Sequence, residues 1–199
     1  GDASMHIHNA PMEDKNHAKS AVLTGLNMLK AVDKFNDKIV AEGRPAIGMG
    51  AGINSGLGYI GEMGSSSRHS YDILGDAVST AARIESKCKE YGCLLLVGED
   101  TVKRCEDDFF FLKVDDLAVK GKTIGVGIHT VLAETQWAFD NTDWMAAQVQ
   151  HEKMFKLYQQ QNFDTAILFC NDLMNEFDGK MENYYIMWIE RCEYMKTQN

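Results

Sequence analysis

The hydrophobic period changes near residue 142, and that change divides the chain. Before it, short apolar runs of strand length alternate with two helical stretches; beyond it, apolar residues recur only at three- and four-residue steps. Residues 13–42 predict a long helix, because Ala18, Ala21, Val22, Leu26, Leu29, Val32, Phe35 and Ile39 fall on one face, and Gly43 stops it. Residues 4–8 alternate polar and apolar as a strand does, until Asn9-Ala10-Pro11 breaks the pattern. Strands over 46–53 and 57–63 are predicted to pair as a hairpin across Asn54-Ser55-Gly56, whose residues tolerate positive φ. Residues 64–70 are polar and rich in Gly and Ser, which predicts a movable loop.

Asp76 reads as the N-cap of a helix running to Tyr91 and closed by Gly92. Val78, Ala81, Ala82, Cys88 and Tyr91 form its apolar stripe, with Asp76, Ser79 and Arg83 opposite. A buried strand over 93–97 and a hairpin of 109–119 with 124–132 across Lys120-Gly121-Lys122 complete this part. The order predicts an α+β domain over residues 1–135, with helices on one face of a mostly antiparallel sheet. Residues 142–199 predict a helical extension. Met145, Val149, Met154, Leu157 and Tyr158 mark its first helix, and segments 163–174 and 181–195 follow, separated by Asp178-Gly179. Tyr158, Phe163, Ala166 and Arg191 resemble part of a tetratricopeptide-type repeat, which is too short to stand alone and is expected to lean on the sheet domain.

Composition excludes several functions. A net charge of −9 repels phosphate backbones and anionic lipid surfaces, so broad nucleic-acid or membrane-surface binding is not expected. No apolar run approaches the roughly 20 residues of a spanning helix, and no signal-peptide pattern is present in these residues. Cys88, Cys93, Cys105, Cys170 and Cys192 are an odd set without a two-residue spacing, which fits a reducing, cytoplasmic compartment with the thiols packed as small apolar groups. His6 and His8 share a strand face but have no Cys or third His near them in sequence, and read as core or solvated histidines rather than metal ligands. The methionines fall on helical stripes, where filling gaps is their ordinary use.

Gly56-Leu57-Gly58-Tyr59-Ile60-Gly61 matches a dinucleotide-binding G-x-G-x-x-G, with Asp76 about twenty residues on. The context is wrong for that motif, since these glycines sit inside a strand pattern and do not open a helix. A more specific pattern is SYDILGDAVSTAARIE at 70–85, with GAGINSG, GYIGEMG and VKGK around it and GDASMHIHNAPMEDKNHA at the start. Together these resemble the catalytic domain of the class III nucleotide cyclases, the adenylyl and guanylyl cyclases, over residues 1–131. The resemblance implies a ferredoxin-like α+β sandwich. It also implies conversion of ATP to 3′,5′-cyclic AMP and pyrophosphate with two Mg2+ or Mn2+ ions, in a site formed between two such domains, hence a homodimer.

By that resemblance Asp2 is a metal-binding carboxylate; on its own residues, Gly1-Asp2 is a solvated turn. The same resemblance makes Asp72 the residue that reads the base. A carboxylate accepts hydrogen bonds, which suits the adenine amine and opposes guanine O6, while taken alone Asp72 is an aspartate bonding a nearby N–H. The resemblance gives Arg83 the role of stabilising charge on the α-phosphoryl oxygens; its local alternative is an exposed pairing with Asp76 or Glu90. Ser79 departs from the family, which usually places an asparagine there to hold the ribose, and the shorter hydroxyl implies a loss of about 0.5–1.5 kcal/mol. Lys120 resembles a triphosphate contact, or else is a hairpin-tip lysine. Two other readings stay open: a guanylyl cyclase, and a regulatory domain that binds nucleotide or a partner without turnover. The chain opens on Gly-Asp without an initiator methionine. The resemblance places a first strand with its own metal aspartate and a base-selecting lysine before Gly1, so the 199 residues alone are expected to be inactive, and any membrane attachment to lie in other segments.

Overall fold

The computed structural model describes residues 3–65, 68–118, 125–135 and 141–198. Helix α1 (His17–Ala41) leads to strand β1 (Ala51–Ile53), then β2 (Tyr59–Ser65) and β3 (Arg68–Leu74). Helices α2 (Asp76–Ser86) and α3 (Cys88–Tyr91), β4 (Leu95–Gly98), α4 (Glu99–Val102), β5 (Phe109–Leu117) and β6 (Val126–Glu134) follow. Three longer helices, α5 (Thr142–Gln159), α6 (Phe163–Leu173) and α7 (Glu182–Lys196), end the chain, with a 3-10 turn at Phe177–Gly179.

The main sheet has the order β1-β4-β6-β5. β1 runs parallel to β4, with Gly52 opposite Leu96, and the other pairings are antiparallel. The expected hairpin across residues 54–56 does not form. β1 takes a partner some forty residues later, and β2 pairs instead with β3 in a separate two-stranded ribbon that puts Gly61 opposite Asp72. Most of the expected loop at 64–70 is therefore strand, since Met63 pairs with Ser70 and Ser65 with Arg68. Residues 4–8 form no strand. Residues 66–67 and 119–124 lie outside the described residues, as does Asp2.

Every residue of β4 is buried, which requires cover on both faces. Leu95 and Val97 meet Ala18 and Val22 of α1, whereas Leu96 meets Ile84 of α2. Helices thus cover both faces of the sheet and not one. The second face is completed by α5–α7, whose Trp144, Met154, Tyr184, Tyr185 and Trp188 share a core with Phe110, Leu112, Val114 and Ile128. The extension is built into the sheet's core. Asn141 and Asn162 cap α5 and α6 with side-chain oxygens that accept from the Trp144 and Thr165 amides. Within the extension Tyr158 meets Phe163 and Trp188 edge-on, as paired helices require, while Arg191 turns toward β5. All five cysteines are free and buried.

Candidate active site

The ribbon and α2 are joined by one residue, Gly75. Its φ of +154° and the 2.8 Å from an added Cβ to the Leu57 carbonyl leave no room for a side chain. This turn fixes how the strand carrying Asp72 enters the helix carrying Ser79 and Arg83. Gly75, not Asp76, occupies the N-cap position, and Asp76 begins the first turn, where its charge suits the helix dipole. The helix ends at Ser86, five residues short of Tyr91; α3 continues after Lys87 and is closed by Gly92 at φ 64°. Ile84, fully buried, anchors α2, although the apolar stripe read from the sequence omitted it, and Ala82 lies exposed.

Asp72 is half-buried, and its Oδ1 accepts from the Ile73 amide at 2.8 Å. Among the described residues its Oδ2 has no partner, so the carboxylate keeps an acceptor for an incoming donor. Ser79 is exposed and its Oγ donates to the Asp76 carbonyl at 3.1 Å, inside its own helix. Arg83, one turn further on the same face, pairs with neither Asp76 nor Glu90. Its Nη1 donates to the Ala118 carbonyl at 2.9 Å, immediately after β5. Sequence reasoning missed this carbonyl, because no side-chain pattern marks a backbone acceptor 35 residues away.

Asn54 ties the segment before β2 to the first turn of α2, its Nδ2 donating to the Ala77 carbonyl at 3.3 Å, and Ser55 Oγ lies 2.9 Å from Thr101 Oγ1. Gly52 lets β1 pass against α2: an added Cβ would stand 2.4 Å from the Ala81 carbonyl and the Glu85 amide. Asp72, Ser79 and Arg83 are therefore presented along one strand–turn–helix unit. Lys120 lies outside the described residues. His6 is exposed and His8 half-buried, with burial first and then His6 lowering the His8 pKa. Among the described residues no three His, Cys, Asp or Glu side chains converge on a cation position.

Residues 1–137 match the family model of the adenylate and guanylate cyclase catalytic domain. The chain belongs to that family. The match stops before α5, so the helical extension lies outside it. The adenylate cyclase of Anabaena cylindrica is 35% identical over 140 residues, 67% of this chain but 27% of that protein. The chain thus spans about a quarter of that relative's length. Among solved structures, the adenylyl cyclase CyaB from P. aeruginosa is similar at 27% identity and a TM-score of 0.55, covering 62% of this chain and 64% of that one. The guanylyl cyclase Cya2 is similar to the same degree, at 27% identity and a TM-score of 0.54, covering 63% and 62%. The cyclase domain has the mixed α+β fold of these structures, with an antiparallel-dominated sheet, and the glycines of 56–61 lead into and lie within β2 as the strand reading requires. The fold does not distinguish adenine from guanine, since neighbours of both kinds are equally similar.

Proposed function

We propose that this cyclase domain converts ATP to 3′,5′-cyclic AMP and pyrophosphate, in a site shared between two copies of the domain. The ribose 3′-oxygen forms a bond to the α-phosphorus, the 3′-hydroxyl proton leaves, and the bond from the α-phosphorus to the β-phosphate oxygen breaks. The observation that carries the reading is the Asp72–Ser79–Arg83 unit, half-buried at Asp72 and exposed at Ser79 and Arg83, in a chain of this family. Asp72 Oδ2 accepts from the adenine amine, and Arg83, its Nη1 held by the Ala118 carbonyl, turns its remaining N–H donors to the α-phosphoryl oxygens as their charge grows.

Support for a second copy comes from the ribbon around Asp72. Leu57 is 97% exposed and Tyr59 83%, and Leu74, paired with Tyr59 on the ribbon face that carries Asp72, is exposed too, an apolar patch that water covers poorly. A homodimer pairing Asp2 of one copy with Asp72, Ser79 and Arg83 of the other fits that need, with Lys120 on the triphosphate. Asp2 would be one ligand of the expected Mg2+ or Mn2+ ions, which would supply charge stabilisation to the triphosphate and the attacking oxygen. The described residues do not by themselves make their site.

Ser79 favours a second reading. Its hydroxyl proton is held by the Asp76 carbonyl, so a ribose contact requires that bond to break, and a domain that binds nucleotide without turnover would tolerate this. Incubating the whole protein with ATP or GTP and Mn2+, and comparing it with Arg83→Ala, separates the readings. Cyclic AMP that falls about 10²–10³-fold in the variant supports the cyclase. Cyclic GMP as the main product points to the guanylyl enzyme, and nucleotide binding with no product to the regulatory domain.

A further inference from the structure

β5 is an edge strand with one extra residue in it. Lys113 faces His129 and Asp115 faces Ile128, so Val114 is a bulge without a partner on β6. The bulge shifts the alternation of everything after it. Leu112 and Val114 point into the core, and a strict period of two would send Asp116 after them; instead Leu117 is buried and Asp116 exposed. Ala118, the next residue, directs its carbonyl to Arg83. Removing the extra residue from the register would reverse the direction in which residue 118 offers that carbonyl.

Three successive residues of the bulge are each held from outside the sheet by the helical extension. His151 Nε2 on α5 donates to the Lys113 carbonyl at 2.6 Å. Tyr184 on α7, fully buried, donates its hydroxyl to the Val114 carbonyl at 2.7 Å. Arg191 Nη1 on α7 meets Asp115 Oδ2 at 2.7 Å, the same oxygen that accepts from the Tyr91 hydroxyl at 2.7 Å. The Val114 carbonyl, left by the bulge without a strand partner, is therefore paired by a residue from beyond the cyclase family match. The guanidinium of Arg191 also stacks over Trp188, 4.4 Å from the ring centroid, which ties Asp115 to the core of the extension.

We infer that the helical extension locks the β5 bulge in the register that aims the Ala118 carbonyl at Arg83, making Tyr184 and Arg191 positioning residues for that arginine. The effect on turnover rests on the proposed role of Arg83; the coupling between the extension and Arg83 does not. The extension then governs the rate of the chemical step more than nucleotide binding, because Arg83 is the group it sets.

The test compares Tyr184→Phe, Arg191→Ala and Arg191→Lys in the whole protein, each alone and combined with Arg83→Ala. It adds the side-chain resonances of Arg83 in the chain labelled with 15N-arginine. Expected are a fall of about tenfold in kcat for Tyr184→Phe and Arg191→Ala, below that for loss of the arginine itself, with KM for ATP within about twofold. Arg191→Lys should recover most of the loss. The falls should vanish in the Arg83→Ala background, as coupled positions require, and the Arg83 resonances should move in both single variants. Variants that melt earlier yet leave kcat and the Arg83 resonances unchanged, or whose losses add in full to that of Arg83→Ala, overturn the inference. If the whole protein makes no cyclic nucleotide, the proposed function fails and the resonances alone decide: movement supports the coupling, and none refutes it. If Tyr184→Phe does not fold, Arg191→Ala carries the same comparison.

Discussion

Replacing His151 with glutamine should make the stability of the chain less sensitive to acid, by an amount that follows from the position of this ring. His151 is 1% exposed, between the sheet edge and α7. The Lys113 carbonyl only accepts, so Nε2 carries the proton, and Nδ1 accepts from the Tyr185 hydroxyl at 2.9 Å. Burial holds the pKa down to about 4, against an ordinary 6.5, with the Lys113 carbonyl opposing part of that shift. The folded chain therefore keeps the ring neutral while the unfolded chain protonates it, and the unfolded state binds more protons throughout the interval between these two values. Above about pH 6.5 the residue costs nothing; below it stability is lost, until the folded ring also titrates near pH 4. At about 1.4 kcal/mol per pKa unit, the loss attributable to His151 is about 2 kcal/mol between pH 7 and pH 5 and about 3 kcal/mol by pH 4. His151→Gln keeps a donor for Lys113 and cannot titrate. Urea unfolding at pH 7 and pH 5 should show the natural chain losing about 2 kcal/mol more than the variant. Equal losses in the two would refute the assignment of a buried neutral histidine at this junction.

Three further outcomes test the site and its support. Gly52→Ala should lower stability by about 1–3 kcal/mol or more, read as an earlier thermal midpoint, since the new methyl meets backbone of α2 and not a movable side-chain end. Asp72→Ser should shift product from cyclic AMP toward cyclic GMP, because a hydroxyl can donate to guanine O6 where a carboxylate cannot; an unchanged ratio in a product assay speaks against base reading by Asp72. Ser79→Asn should raise turnover by a few-fold, in keeping with about 0.5–1.5 kcal/mol for one neutral hydrogen bond, and unaltered kcat would mean that residue 79 does not reach the ribose.

Helices were the legible part of the sequence. α5, α6 and α7 start and end within a residue or two of their expected limits, because a 3.6-residue period persists over many residues and Asn141 and Asn162 mark two of the starts. Strand partners were not legible. Asn54-Ser55-Gly56 has the chemistry of a tight turn, yet β1 pairs with distant β4, and no local pattern reports a contact that far along the chain. The β2–β3 ribbon reads partly as a loop because its described side chains are largely exposed and it lacks the apolar alternation of a strand with one buried face. At the candidate site, Asp72, Ser79 and Arg83 stand out through the resemblance of residues 70–85 to the cyclase family, and not by residue type or spacing alone. The Ala118 carbonyl and the bulge that aims it are backbone features, and the hold of Tyr184 on Val114 joins residues 70 apart in sequence.

The most direct measurement is a crystal structure of the whole protein with a non-hydrolysable ATP analogue and Mn2+. Expected is the analogue at a seam between two copies, with its adenine amine on Asp72 Oδ2 and its α-phosphate on the guanidinium of Arg83, whose Nη1 keeps the Ala118 carbonyl. An analogue bound elsewhere, with Arg83 touching only Ala118 and Asp72 only the Ile73 amide, would contradict a cyclase site here.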